Sequence, residues 1–244
     1  MNIIISGYGA MGKTLLDEIG NVKAFGVCGV VDMQQEYGVS DFSQIETSCD
    51  VVIDFSHPDQ LHTVLDYGLD TKTPLVIATT GMSHEQEKAI ETASKHIPIL
   101  YTGNTSLGIN VMNHIVKHMT DVLDDFDIEI IEKHHNQKID APSGTAKMLL
   151  SSVQERRNIK AVYGRNGVSK RDKNDITIHA LRGGTIPGEH SVIYAGDDEL
   201  IEIKHTALSK RIFAKGALKA AQYIIKQPSG LYDMTDVLKK GDVS

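Results

Sequence analysis

The apolar residues of this chain come first in short, nearly continuous runs. Residues 3–6, 24–31, 51–55, 75–78 and 97–101 are each dominated by Ile, Val, Leu and Ala. Between several of them lie stretches whose apolar positions recur at helical spacing, at 11–19, 58–69 and 84–96. Uninterrupted apolar strands alternating with amphipathic helices predict a parallel sheet covered on both faces, because each such strand has no wet side. The first hundred residues therefore read as α/β, a Rossmann-like doubly wound sheet.

The rhythm changes after Gly103. A long helix is predicted over 108–123, a strand over 126–132 and a helix over 143–156. Strands follow at 176–181, 191–195 and 200–204, the last two flanking Gly196-Asp197-Asp198-Glu199, a hairpin signal. Strands in succession predict a second α+β domain with an open mixed sheet. From Phe213 the chain turns helical again (FAKGALKAAQYIIKQ). One helix and a tail are too little for a domain of their own, so they are expected to return to the first. The domain reading is residues 1–105 with 212–244 for dinucleotide binding, and 106–211 for substrate binding and oligomerisation. The junctions near 104–107 and 209–212 are candidate hinges for closure over a substrate.

Composition narrows the function classes. The chain has 244 residues, 41% of them hydrophobic and 23% charged, enough apolar material for real cores. A net charge of −7 argues against bulk nucleic-acid binding, which needs a basic footprint. No window approaches the roughly 20 apolar residues of a membrane helix. No basic leader precedes the first strand, so a cytoplasmic protein is expected. Cys28 and Cys49 lie in apolar runs without a CxxC spacing and read as buried thiols of a reducing compartment. His114 and His118 stand four apart on a predicted helix, but Ile-Val-Lys lies between them and no third ligand is evident, so no metal is expected. The basic run 156–173 lacks aromatic interleaving apart from Tyr163 and reads as a solvated helix end and loop.

Two stretches carry chemistry. The first, IIISGYGAMGKTLL, places Gly7, Gly9 and Gly12 between a strand and a helix. In this GxGxxG arrangement Gly7 allows the tight turn, Gly9 the close approach of a pyrophosphate, and Gly12 the packing of helix on strand. The helix start offers free N–H groups to phosphate. The loop Gly7, Tyr8, Gly9, Ala10, Met11, Gly12 is thus the candidate nucleotide site, with Asp32, at the end of the second strand, on the ribose hydroxyls. Met33 and Gln34 follow Asp32 where an Arg would meet a 2′-phosphate, which favours NADH over NADPH without deciding it. Ala78, Thr79 and Thr80, and then Thr102, Gly103, Asn104 and Thr105, lie at the carboxyl ends of later strands and are candidate cofactor contacts.

The second stretch is EKHHNQKIDAPSGTA, residues 132–146. Ser143, Gly144 and Thr145 open a helix whose amides and hydroxyls form an anion site, and Lys138 adds a full charge. His134 and His135 follow a strand and face opposite ways if it continues.

This run resembles the signature E-x-H-H-x-x-K-x-D-A-P-S-G-T-A of the dihydrodipicolinate (4-hydroxy-tetrahydrodipicolinate) reductases. Further pieces resemble the family in order: DFSHP at 54–58, TTG at 79–81, NTSLGIN at 104–110, GEH at 188–190 and GLYDM at 230–234. The loop GYGAMG is tighter than the family's usual GxxGxMG, and His57 stands where some relatives carry Arg, so His57 is given no role. The resemblance implies an NADPH- or NADH-dependent reduction of a small cyclic dicarboxylate on the route to diaminopimelate and lysine. It implies His134 as the general acid, with Lys138 sharing in the proton transfer, and His135, Lys138 and the 143–145 turn as the grip on the carboxylates. It also implies a homotetramer. Two rivals share the glycine loop: a semialdehyde- or homoserine-type dehydrogenase, which has no need of the paired histidines, and a nucleotide sensor without turnover.

Overall fold

The computed structural model describes residues 1–33 and 37–239. In chain order the elements are β1 (Asn2–Ser6), α1 (Ala10–Gly20), β2 (Gly26–Val31), β3 (Val51–Asp54), α2 (Leu61–Thr71), β4 (Leu75–Ile77), α3 (His84–Ser94), β5 (Pro98–Tyr101) and α4 (Leu107–Val122). Then come β6 (Asp127–His134), α5 (Gly144–Gln154), β7 (Lys160–Tyr163), β8 (Asp175–Arg182), β9 (Gly188–Ala195) and β10 (Leu200–Ala207). The chain closes with α6 (Arg211–Ile224), β11 (Gly230–Tyr232) and α7 (Met234–Lys239). Two compact units result, one of residues 1–107 and 210–244, the other of 108–209.

In the first unit six parallel strands run in the order β11-β5-β4-β3-β1-β2. Successive residues of a strand face opposite sides, and both sides are apolar here. Ile3 and Ile5 pack with Leu15 and Ile19 of α1 and with Ala217, Leu218 and Ala221 of α6. Ile4 and Val52 pack with Val64 and Leu65 of α2 and Ile90 of α3. Ser83 and Gln86 cap α3 reciprocally, which fixes where that helix begins. Parallel pairing brings the carboxyl ends of β1 to β5 to one edge, and the order of connection reverses at β1.

The second unit holds a five-stranded mixed sheet, β10-β9-β6-β8-β7. Strands β10, β9 and β6 pair antiparallel, while β6, β8 and β7 pair parallel. Helices α4 and α5 cover one face, packing Met112, Val116, Leu149 and Val153 on Ile130, Ile178, Val192 and Tyr194. Strand β6 alternates half-buried and buried residues along its whole length. The same alternation that buries Ile128 and Ile130 therefore carries Glu132 and His134 onto the helix-covered face.

Three expectations need correction. Cys28 and Cys49 are joined as a disulfide, their Cα atoms 6.4 Å apart, rather than standing as separate thiols. They are 21 residues apart in sequence, and only the sheet brings them together. The basic run is not simply solvated. It contains edge strand β7, Arg157 donates to the carbonyls of Thr120 and Phe126, and Arg171 bonds Asp127 and Glu129. Finally, residues 58–60 form a separate 3-10 turn, capped by His57, ahead of α2.

Candidate active site

The glycine loop is built as its sequence requires. Gly7 has φ +90°, and a Cβ there would lie 2.7 Å from the Cα of Ser56. A Cβ on Gly12 would fall 2.0 Å from the Gly7 carbonyl oxygen. Gly9 differs: nothing lies within 4 Å of where its Cβ would be. It caps α1 without a side-chain hydrogen bond, and the first turn of that helix holds no acidic residue. The loop borders a cavity of about 350 Å³, lined by Gly7, Tyr8, Gly9, Lys13, Asp32, Ser56 and His57. These groups fit a dinucleotide: amides for the pyrophosphate, and a carboxylate at the end of the second strand for a ribose. Lys13 sits over the Tyr8 ring, 5.1 Å from its centroid, and Tyr8 stacks on Tyr37. Gln34, which entered the cofactor argument, lies outside the described residues. Ala10 and Met11 start α1, and Met11 turns partly into the core.

The remaining nucleotide candidates lie along the same sheet edge, outside that cavity's lining. Ala78 is buried, and its amide donates to the Asp54 carbonyl. Thr79 is also buried, and its hydroxyl donates to Asp54 Oδ2 at 2.7 Å. Asp54, 1% exposed, accepts from the Ser56 hydroxyl at 2.5 Å as well. Burial raises its pKa, and the hydroxyl donors offset part of that rise. Thr80 is exposed. Thr102 closes the turn through Asn104, and Gly103 at its tip is exposed. Thr105 is turned inward, donating to the Phe213 carbonyl of α6 at 2.8 Å.

The second unit gathers a denser polar cluster. Glu132 is fully buried, and its Oε2 lies 2.6 Å from His134 Nδ1. Arg182 donates to both of its carboxylate oxygens, each at 2.7 Å, and the Ser143 amide donates to Oε1 at 3.1 Å. A buried carboxylate needs such partners. Burial alone would raise the Glu132 pKa, but Arg182, His134 and the Ser143 amide hold it below the ordinary value. His134 is pushed down by burial, with Glu132 pulling in the opposite direction. His190, 4% exposed, lies 2.9 Å from the Ser143 hydroxyl and meets the His134 ring edge-on at 5.1 Å. Burial first, then His134, lowers the His190 pKa to about 4, so this imidazole is neutral at physiological pH.

Of the residues singled out in this motif, His134 and Ser143 lie inside the cluster. The Ser143 hydroxyl caps α5 by accepting from the Ala146 amide, so both its amide and its oxygen have partners within the protein. Gly144 is exposed, and His135 and Thr145 are half-buried. Lys138 pairs with Asp140 at 2.7 Å in the loop beyond β6. Three residues given no role from sequence complete the arrangement: Glu132, Arg182 and His190. Strand alternation from His134 would have found Glu132. The other two arrive through sheet register, which pairs Glu132 with His190 and His134 with Arg182.

Comparison with known proteins agrees with this geometry. The family model described as dihydrodipicolinate reductase, N-terminus, matches residues 1–105, and that described as dihydrodipicolinate reductase, C-terminus, matches residues 108–238. The 4-hydroxy-tetrahydrodipicolinate reductase of Clostridium novyi (strain NT) is 45% identical over 246 residues, covering 97% of this chain and 98% of the relative. That of Exiguobacterium sibiricum is 46% identical over 247 residues, covering 99% and 98%. A solved structure described as dipicolinate-bound dihydrodipicolinate reductase from Paenisporosarcina sp. TG-14 shares the fold, with TM-score 0.78 over 96% of this chain and 97% of its own, at 22% identity.

Fold and site together define a Rossmann-type oxidoreductase that uses a pyridine nucleotide. No helix among the described residues is long and apolar enough to cross a membrane. With both family models matched across nearly its whole length, the chain belongs to the dihydrodipicolinate reductase family.

Proposed function

We propose that this chain catalyses the NAD(P)H-dependent reduction of 4-hydroxy-tetrahydrodipicolinate to tetrahydrodipicolinate, in diaminopimelate and lysine biosynthesis. The observation that carries the reading is the His134 cluster of the second unit, built from the family's own motif beside the helix start that Ser143 caps. The first unit (1–105 with 212–244 in this reading) binds the nucleotide through Gly7, Tyr8, Gly9, Ala10, Met11 and Gly12, with Asp32 on a ribose. Ala78, Thr79, Thr80 and Thr102–Thr105 shape the remaining edge, where Thr79 and Thr105 act through their hydrogen bonds to Asp54 and Phe213. A bound reduced nicotinamide supplies the hydride.

The second unit (106–211) holds the substrate. Its two carboxylates are met by Lys138, His135 and the amides and hydroxyl of Gly144 and Thr145. Asp140 holds Lys138 until a carboxylate competes for it. Ser143 anchors the turn from within. Reduction of the conjugated ring leaves a carbon that must take a proton, and His134 delivers it, an imidazole being suited to this near neutral pH. Lys138 favours the charge that develops on the ring. The protein works in the cytoplasm as a homotetramer.

The test is loss of reduced-nicotinamide absorbance when substrate is generated by condensing pyruvate with aspartate semialdehyde, with the condensing enzyme omitted as control. Oxidation that depends on the condensation product is expected, more efficient with NADH than with NADPH because of Asp32. Light scattering should give four subunits. No oxidation by folded, nucleotide-bound protein would favour a sensor instead.

A further inference from the structure

We propose that Glu132 is the positioning residue of proton transfer: its buried carboxylate holds Nδ1–H of His134, so that Nε2 is the nitrogen that delivers the proton. This inference rests on the reading of His134 as the donor. The 2.6 Å approach of Oε2 to Nδ1 places the ring proton nearest Glu132 on Nδ1. Arg182 and the Ser143 amide keep the carboxylate anionic and fix its plane. An anion beside one imidazole nitrogen selects the tautomer that bears its proton there. The other nitrogen, Nε2, faces Gly188, where the absence of a side chain leaves it room.

The step balances simply. The ring carbon next to the one that received the hydride takes the Nε2 proton. The electron pair of the conjugated system forms the new C–H bond, and the N–H pair stays on Nε2. His134 ends neutral, with Nδ1–H still on Glu132. The charged and titratable groups facing the imidazole are Glu132 on β6, Arg182 at the end of β8, His190 on β9 and Lys138 in the loop. Only Glu132 is anionic, so its removal lowers the affinity of His134 for its proton.

Glu132→Gln tests this. Two fixed donors, Arg182 and the Ser143 amide, meet Oε1, whereas Oε2 meets one Arg182 donor and the His134 ring, so the Gln oxygen takes the Oε1 place and its NH2 the Oε2 place, with loss of the Arg182 bond there. An NH2 there donates to Nδ1 and drives the ring to the Nε2–H tautomer. In wild type, 15N-imidazole NMR of neutral His134 should show the proton on Nδ1; in Glu132→Gln it should show it on Nε2. The variant's kcat should fall about 100-fold, with nucleotide affinity and substrate KM within about 2-fold. The alkaline limb of its kcat/KM profile should move to lower pH. Glu132→Asp should keep the Nδ1–H tautomer and recover about 10-fold of the lost rate.

A wild-type His134 bearing its proton on Nε2 would overturn the proposal, and that measurement needs no variant to fold. So would a folded Glu132→Gln with unchanged tautomer, or one whose loss lies wholly in KM. His134→Gln separates the two readings. If it abolishes turnover while Glu132→Gln does not lower it, the inference fails alone; if His134→Gln keeps wild-type turnover, the donor assignment itself is wrong.

Discussion

Gly188 stands against His134: a methyl group built on its Cα would lie 3.2 Å from Nε2. That distance is short for carbon against nitrogen, yet the backbone of Gly188 has no conformation that forbids a side chain. Gly188→Ala should therefore fold, with a melting temperature close to wild type. If Nε2 is the proton donor proposed above, the alanine methyl group would crowd the approach of the reacting carbon. Turnover should fall by about 10- to 100-fold, as small misplacements of reacting groups do, while nucleotide titration gives an unchanged affinity.

Gly9 and Gly12 should separate nucleotide binding from folding. Alanine at Gly9 meets nothing in the protein, so thermal unfolding should not move, but in the proposed nucleotide site the methyl group would obstruct the approach of the pyrophosphate. Nucleotide affinity, followed by fluorescence, should drop at least tenfold, about 1.4 kcal/mol. Alanine at Gly12 meets the Gly7 carbonyl at 2.0 Å and must push α1 away from β1. It should lose nucleotide binding and also about 1–3 kcal/mol of stability by overpacking.

His190 predicts the direction of acid sensitivity. Its folded pKa of about 4 lies below the ordinary 6.5, so the unfolded chain takes up the proton first as pH falls. The stability this neutral imidazole contributes is fully present above pH 6.5 and is lost as pH falls toward 4. The full loss is about 3 kcal/mol. Urea unfolding at neutral pH and near pH 4.5 measures it. His190→Gln should flatten the dependence without abolishing it, because His134 and His205 are displaced in the same direction, chiefly by burial.

Thr79→Val keeps shape and removes the hydroxyl that donates to Asp54 Oδ2. A buried carboxylate short of one donor should destabilise the first unit by about 1–3 kcal/mol. Nucleotide affinity should fall by less than in Gly9→Ala, since Thr79 acts through Asp54. Differential calorimetry with and without nucleotide distinguishes the two effects.

The parts of the fold read most easily are those in which one residue run decides its own surroundings. Strands β1, β3 and β4 are buried on both faces, so their apolar runs stand out. The glycine loop carries its steric demands in its own residues. Strand β7 was missed because it is an exposed edge strand among charged residues, and β11 because three residues with only one large apolar side chain give no pattern. At the site, His134, Lys138 and Ser143 share one motif. Arg182 and His190 lie 50 and 47 residues from the groups they bond. The register of β8 and β9 on β6 delivers them, and no local spacing encodes it. The Cys28–Cys49 pairing is likewise non-local, joining β2 to the loop before β3.

The first unit is sewn from both ends of the chain. Helix α6 supplies Ala214, Ala217, Leu218, Ala221 and Ile224 to one side of its core, and β11 completes the sheet beside β5. A ribosome releases these residues only after the whole second unit has been made. Until then the first 107 residues carry a sheet with one apolar face only partly clothed. The order of synthesis therefore delays closure of the nucleotide-binding unit until the second unit has been made, and during that interval the exposed face is what chaperones and aggregation compete for.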